Sequence, residues 1–401
     1  MTLKEELEIL RGEPIEVFTG DPMDIPCIET SDPEKLCKHP VVSVQMITYN
    51  HEPYIRQAIE GVMMQKTDFE FELVIGEDAS QDKTREICFE YQKRHPDKIR
   101  VLWWHENLRK VNHPGGGNWA RTYSHCRGEF IALCEGDDYW IDPLKLQKQV
   151  DVMRKHPTVG LCFCGSKYFK EDDGSWRVWN TSDVFPHGAM SGDVFSYFHT
   201  FGHDFVSDNS DACAIMTATV MVRASVCREV LSKYEIFRWR LWLGDTTLWL
   251  AVSSCSDVFY LDDIVSTYRL TCKGACSTGR TRVWRDGVIV RAYYFLGNKG
   301  RSLSEFPGWL KHTFFMWMMN GEILKDQRGR RKYILQCLKC RMTRQFLFSW
   351  RGLPIIILQF IKAQSPFVKR LCSAYYRHIV LKMPERSPVL TLYKKIHDDF
   401  V

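Results

Sequence analysis

The chain of 401 residues lacks a long unbroken apolar run, and its most hydrophobic stretch, residues 346–361, is interrupted by Arg351 and Pro354. That stretch is too broken for a membrane span. The first residues, Met1-Thr-Leu-Lys-Glu-Glu-Leu7, lack the apolar core of a secretory leader, so the expected location is cytoplasmic. Charge of one sign is not in excess either: 54 basic against 49 acidic residues leave a net charge of +5, too mild for a dedicated nucleic-acid binder. The run Gly115-Gly-Gly117 lacks the Lys and Ser/Thr of a phosphate-binding loop and reads as a surface loop. Cysteine is not scarce, but 15 is an odd number, and without a leader these residues read as reduced thiols and small core side chains. Cys337-x-x-Cys340 has no second ligand pair nearby, which leaves little ground for zinc.

What is present is a cluster of acids. In Ile131-Ala-Leu-Cys-Glu-Gly-Asp-Asp-Tyr-Trp140 an apolar strand runs straight into three carboxylates. Glu135, Asp137 and Asp138 at the end of a buried strand would repel one another and resist ionisation unless a cation offsets them. Hard oxygen ligands favour Mg²⁺ or Mn²⁺ over zinc. The competing explanation, that the acids merely begin the next helix, needs one acid only, and Asp142 before Pro143 already fits that cap.

The rest of the first half alternates. Val41–Asn50 reads as a β-branched strand ending in Thr48, Tyr49, Asn50 and His51, and Pro53 suits the start of a helix carrying Ile55, Ala58, Ile59 and Val62. Phe69–Ile75 is a second strand, ending in Gly76-Glu-Asp-Ala-Ser80 before a helix opened by Asp82-Lys-Thr84. Ile99–Trp104 is a third, and a helix from about Trp119 to Cys126 precedes the acidic segment. Such alternation predicts an α/β fold with a doubly wound, mostly parallel, Rossmann-like sheet, whose ligands bind at the carboxyl ends of the strands. Thr48, Asn50, Asp78 and the acids from 135 to 138 all fall at such ends. Further along, Gly244-Asp245 precedes a helical stripe of Leu248, Trp249 and Val252, where Asp245 by itself reads as a cap. A strand then runs from Val258 to Tyr268-Arg269.

Taken in this order and spacing, Thr-Tyr-Asn (48–50), Glu-Asp-Ala-Ser-Gln-Asp-Lys-Thr (77–84), Glu-Gly-Asp-Asp-Tyr-Trp (135–140), Asp245 and the Tyr-Arg pair resemble inverting glycosyltransferases of family two, over roughly residues 40–280. That resemblance implies the GT-A fold and an enzyme, a metal-dependent transferase with Mn or Mg as cofactor. It gives Thr48 to the nucleoside and Asp78 to the base, with Asn50 beside them. It gives Asp137 to the metal, Glu135 and Asp138 to the sugar hydroxyls or bound water, and Asp245 the part of catalytic base. The family's usual Asp-Asp-Gly-Ser appears as Glu77-Asp-Ala-Ser80, which puts alanine where glycine tolerates positive φ. Asn118 and Arg121, in the helix before the metal strand, are candidates to reach the diphosphate or base; a solvated position is the alternative.

The implied function is transfer of a single sugar from a nucleotide-diphosphate donor, a UDP-sugar ahead of dTDP or GDP, to a glycan or lipid-linked acceptor in cell-surface polysaccharide synthesis. The polymerases of the family carry Gln-x-x-Arg-Trp, which this chain lacks. The alternatives are a non-catalytic carbohydrate-binding scaffold of the same fold and a sugar nucleotidyltransferase. Residues 1–38 read as an N-terminal extension, 39–280 as the catalytic domain and 281–401 as a helical C-terminal region. There aromatic clusters such as Phe314-Phe-Met-Trp317 alternate with basic runs such as Arg328, Arg330, Arg331 and Lys332. Residues 346–377 fit either peripheral contact with the inner membrane face or a helical bundle. The aromatic and polar stretch 165–215, with Trp176, Trp179, His187, His199, His203 and Asp204, is expected to face the acceptor.

Overall fold

The computed structural model describes residues 24–108, 117–179, 187–190, 215–239 and 244–271, together with residues 2, 4, 5, 7, 8, 14–17, 241 and 290. The chain divides into two compact units, one of residues 15–201 and 211–294, the other of residues 1–14, 202–210 and 295–401. The second unit lies almost wholly outside the described residues. So do the expected membrane contact at 346–377, Cys337 and Cys340, and His199, His203 and Asp204.

Among the described residues the first unit is built on one sheet of eleven strands. Strands β2 (Val42–Thr48), β3 (Phe71–Glu77), β4 (Ile99–Trp103) and β5 (Phe130–Leu133) run parallel in the order β4-β3-β2-β5. An antiparallel edge strand, β1 (Ile28–Thr30), pairs with β4. The sheet therefore starts inside the stretch that reads as an N-terminal extension; three residues of mixed polarity give no strand signal until an edge is there to receive them. On the other side β10 (Met221–Arg223) lies antiparallel between β5 and β7 (Val159–Lys170), so the sheet is mixed rather than continuously parallel. Next come β11 (Asp257–Leu270), parallel to β7, and β6 (Tyr139–Trp140), antiparallel to β11. The short β8 (Ser175–Trp179) and β9 (Gly188–Met190) pair with β7 and β11.

Val42, Val44 and Met46 of β2 are fully buried on one face. They share a core with Ile55, Ala58, Ile59 and Val62 of α1 (Ile55–Met63). Each side chain of that size contributes roughly 1.5–3 kcal/mol when buried. Ser43 and Gln45 on the opposite face are buried too, because α3 (Asn118–Ser124) covers them and Gln45 Nε2 donates to the Trp119 carbonyl at 2.8 Å. The close approach of α3 depends on Gly76 of β3: a Cβ there would stand 1.9 Å from Thr122 Oγ1.

Helix starts differ from the sequence reading by one to three residues. Pro53 sits in a turn ahead of Ile55. The helix expected at Asp142-Pro143 begins at Lys145 (α4, Lys145–Lys155), because Asp142 Oδ1 accepts the Leu144 N–H at 2.9 Å and holds a turn outside the helix. In α2 (Thr84–Arg94), Asp82 Oδ1 does accept the Thr84 N–H, at 3.0 Å.

At the amino ends of the parallel strands a single buried acid is fully paired. Glu72 accepts from Ser43 Oγ (2.7 Å), Arg127 Nη2 (2.6 Å) and Arg100 Nη1 (3.3 Å). Arg100 also makes two 2.8 Å bonds to Glu29 of β1.

Candidate active site

The carboxyl ends of β2 and β3 are in register, Thr48 opposite Glu77, and the loops that follow are stapled together. The Asn50 N–H donates to Ser80 Oγ (3.0 Å) and Gln81 N–H donates back to Asn50 Oδ1 (2.8 Å). His51 N–H reaches Thr84 Oγ1 (2.8 Å) and Glu52 N–H reaches Asp82 Oδ2 (3.1 Å). Two residues take left-handed backbone, Asn50 at φ 55° and Ala79 at φ 59°. Asparagine tolerates this, whereas alanine carries strain. Ala79 thus holds a conformation that glycine would adopt freely. Asp78, nearly buried, accepts the Leu108 N–H on Oδ1 at 2.8 Å, while its carbonyl accepts from Asn107.

The acidic loop enters the same region from β5. The Gly136 N–H donates to the Ile47 carbonyl at 3.0 Å, carrying the loop past the end of β2. A Cβ on Gly136 would come within 2.7 Å of Thr48 Oγ1 and 2.9 Å of His51 Nδ1, so glycine is needed for the close pass. Those two atoms are buried without a partner, as is Asp138 Oδ2. Asp137 keeps 23% of its side chain exposed, 3.8 Å from His51 Nε2. Asp138 is turned inward and 1% exposed, with Oδ1 accepting the Arg269 main-chain N–H at 2.8 Å. The sugar contact expected of Asp138 is therefore not presented by this arrangement.

Asp245 lies in the first turn of α5 (Gly244–Ser253). Its Oδ1 accepts the Thr246 N–H at 2.5 Å, and Thr217 Oγ1 donates to Oδ2 at 3.5 Å. The charge of Asp245 is felt across the loop: Glu135 is pushed up to about 8, first by burial, then by Asp137 and Asp245. Asp138 is raised well above the usual carboxylate range by burial and then by Asp137 and Glu135. Four acids from two distant stretches of chain therefore share one neighbourhood.

Asn118 and Arg121 do not join them. Arg121 is fully buried, with Nη2 donating to the Glu77 carbonyl (2.9 Å), the Leu102 carbonyl (3.3 Å) and Asn118 Oδ1 (2.6 Å). Asn118 Nδ2 donates to the Gly76 carbonyl at 2.7 Å. Both fasten α3 to the ends of β3 and β4 from beneath, because carbonyls at strand ends need donors once a helix excludes water. Residues to which the sequence gives no role in the site are His51, Thr217 and Arg269. The Tyr-Arg pair at a strand end was the available signal for Arg269, but nothing local tied it to a loop some 130 residues earlier.

Among the described residues no group of three or more His, Cys, Asp or Glu side chains is arranged to hold a metal ion. The exposed part of Asp137 suits a hard cation that takes most of its oxygen shell from water and a diphosphate.

In a mostly parallel α/β sheet the crevice at the carboxyl ends of the strands is where ligands bind, and here that is where the acids gather. Residues 43–230 match the model of glycosyl transferase family 2. An uncharacterized protein of Mycobacterium tuberculosis is 44% identical over 144 residues, 34% of this chain and 40% of that protein. A Bacillus subtilis protein, named as a teichuronic acid biosynthesis glycosyltransferase, is 30% identical over 135 residues, 33% of this chain and 49% of its own. The chain thus spans less than half the length of these curated relatives. The structure of Staphylococcus aureus TarS with UDP-GlcNAc aligns over 90% of this chain and 91% of its own, with 16% identity and a TM-score of 0.46.

Proposed function

We propose that this chain is an inverting glycosyltransferase that moves one sugar from a nucleotide-diphosphate donor, a UDP-sugar, to a glycan or lipid-linked acceptor in cell-surface polysaccharide synthesis. The observation that carries the reading is the meeting of Asp245 with Glu135 and Asp137 at the carboxyl ends of the sheet. A binding module has little use for that accumulation of unneutralised acid, whereas sugar transfer needs both a base and a seat for a cation.

Thr48, Asn50 and Asp78 form the nucleotide side of the crevice, where the stapled loops give them fixed positions. Asp137 would hold a Mn²⁺ or Mg²⁺, which when bound would supply positive charge to stabilise the departing diphosphate. Glu135 borders the donor sugar. Asp245, oriented by Thr246 and Thr217, takes the proton from the acceptor hydroxyl as that oxygen attacks the anomeric carbon. A single base acting opposite the leaving group gives one displacement and inverted configuration. The acceptor side includes Trp176, which is 57% exposed on β8. Among the described residues no helix is long and apolar enough to cross a membrane.

The test is calorimetric titration of UDP, dTDP and GDP, each with and without Mn²⁺, into the wild type and Asp137→Asn. We expect Mn²⁺-dependent binding of UDP that Asp137→Asn abolishes. Failure of all three nucleotides to bind under every condition would sink the transferase reading in favour of a carbohydrate-binding scaffold.

A further inference from the structure

We propose that Arg269 is the positioning residue of the acidic loop, turning Asp138 inward and leaving Asp137 facing the crevice. Asp137 and Asp138 are chemically identical neighbours, and nothing in their own sequence decides which carboxylate meets a ligand. In the fold they differ sharply: Asp138 is 1% exposed, whereas the Asp137 side chain is 23% exposed.

The contacts that separate them come from the end of β11. Arg269 Nη1 donates to the Asp137 main-chain carbonyl at 2.6 Å, and the Arg269 N–H donates to Asp138 Oδ1 at 2.8 Å. One residue thus brackets the Asp137–Asp138 peptide from both sides. The guanidinium is itself immobilised, with Nη2 donating to Gln57 Oε1 at 2.6 Å and its plane 4.7 Å from the Tyr54 ring centre and 5.0 Å from that of Tyr139. Tyr54 is anchored in turn, its hydroxyl donating to Glu171 at 2.7 Å. The pairing of β6 with β11, Thr267 opposite Tyr139, sets the register that delivers Arg269 to this spot. A lysine cannot replace a planar group that stacks between two rings and donates in two directions.

The proposal rests on the donor-site reading. Its test compares wild type, Arg269→Met, Arg269→Lys and Gln57→Leu in two calorimetric titrations: Mn²⁺ at fixed UDP, and UDP at saturating Mn²⁺. Loss of a group that orients a metal-holding carboxylate costs roughly 10–100-fold in metal affinity. We expect a shift of that size in the Mn²⁺ midpoint for Arg269→Met, no rescue by Arg269→Lys, and a smaller shift in the same direction for exposed Gln57→Leu. The UDP affinity at saturating Mn²⁺ should barely move. Equal losses in both titrations would mark a general structural role, and an unchanged Mn²⁺ midpoint would mark no role; either overturns the proposal. Should Arg269→Met fail to fold, an unchanged midpoint in Gln57→Leu overturns it alone. A wild type that binds no nucleotide removes the donor-site reading together with this one, an outcome distinct from metal-dependent binding that the variants leave intact.

Discussion

The two ends of the parallel strands handle buried acid in opposite ways. At the amino ends Glu72 is enclosed by Arg127, Arg100 and Ser43, each within hydrogen-bond distance. At the carboxyl ends Glu135 is crowded by Asp137 and Asp245, and Asp138 by Asp137 and Glu135, while Arg269 donates to the loop's main chain. A folded chain that needed only stability would neutralise both ends alike. Buried acids left without a counter-charge, and so pushed toward their protonated form at one end only, are a local breach of the rule that buried ionisable groups are paired, and such breaches gather where a ligand completes the site.

The largest effect that sharpens this contrast is expected at Asp245. Asp245→Asn should lower the transfer rate by roughly two to four orders of magnitude, the usual contribution of a general base, while leaving Mn²⁺-dependent UDP binding intact. Turnover assays beside calorimetry would separate the two quantities, and unaltered turnover would remove Asp245 from the chemistry.

At the opposite end, Glu72→Gln should cost about 3–5 kcal/mol of stability, because two guanidinium groups lose a buried counter-charge. Urea unfolding measures this. A loss under 1 kcal/mol would mean that the amino-end network is not the paired region described above.

The third expectation concerns pH. The folded-state value of Glu135 lies near 8, above its ordinary 4.5, so between these limits the folded chain holds a proton that the unfolded chain releases. Stability of the metal-free protein attributable to Glu135 is therefore complete below about pH 4.5 and declines as pH rises toward 8, at no more than roughly 1.4 kcal/mol per pH unit. Glu135→Gln should flatten the fall of the thermal midpoint between pH 5 and 8. The same fall in wild type and variant would assign it to other groups.

The smallest effect is Ala79→Gly. Relief of left-handed strain, offset by the greater freedom of glycine in the unfolded chain, should leave a gain of at most about 1 kcal/mol, visible as a slightly higher melting temperature. A clear loss of stability would show that the Ala79 methyl, 4% exposed, contributes packing that outweighs its strain.

Much of this molecule is written in local sequence. β-branched runs and apolar residues at helical spacing placed β2, β3, β4, β5 and α1 through α4 within a few residues of their observed ends, because burial rewards the same periodicities that the eye detects. Glu135, Asp137 and Asp138 were legible for a related reason: strands of this kind end where ligands bind. Helix starts were less legible, since Asp142 and Pro53 form turns that imitate the opening of a helix. Edge strand β1 and antiparallel β10 are three residues each, too short to show a period, and they exist because neighbouring strands offer them unpaired backbone groups.

Sequence by itself determined the alternating architecture, the identity of the acids and the order in which they occur, since all three depend on residues close together in the chain. Only the tertiary structure decided that Arg121 and Asn118 are fasteners beneath the sheet, that Asp245 shares the field of Glu135, and that of two adjacent aspartates one faces outward. Those outcomes depend on contacts between distant segments, and on the fact that a carboxylate's properties are set less by its own chemistry than by the charges and water that the fold leaves around it.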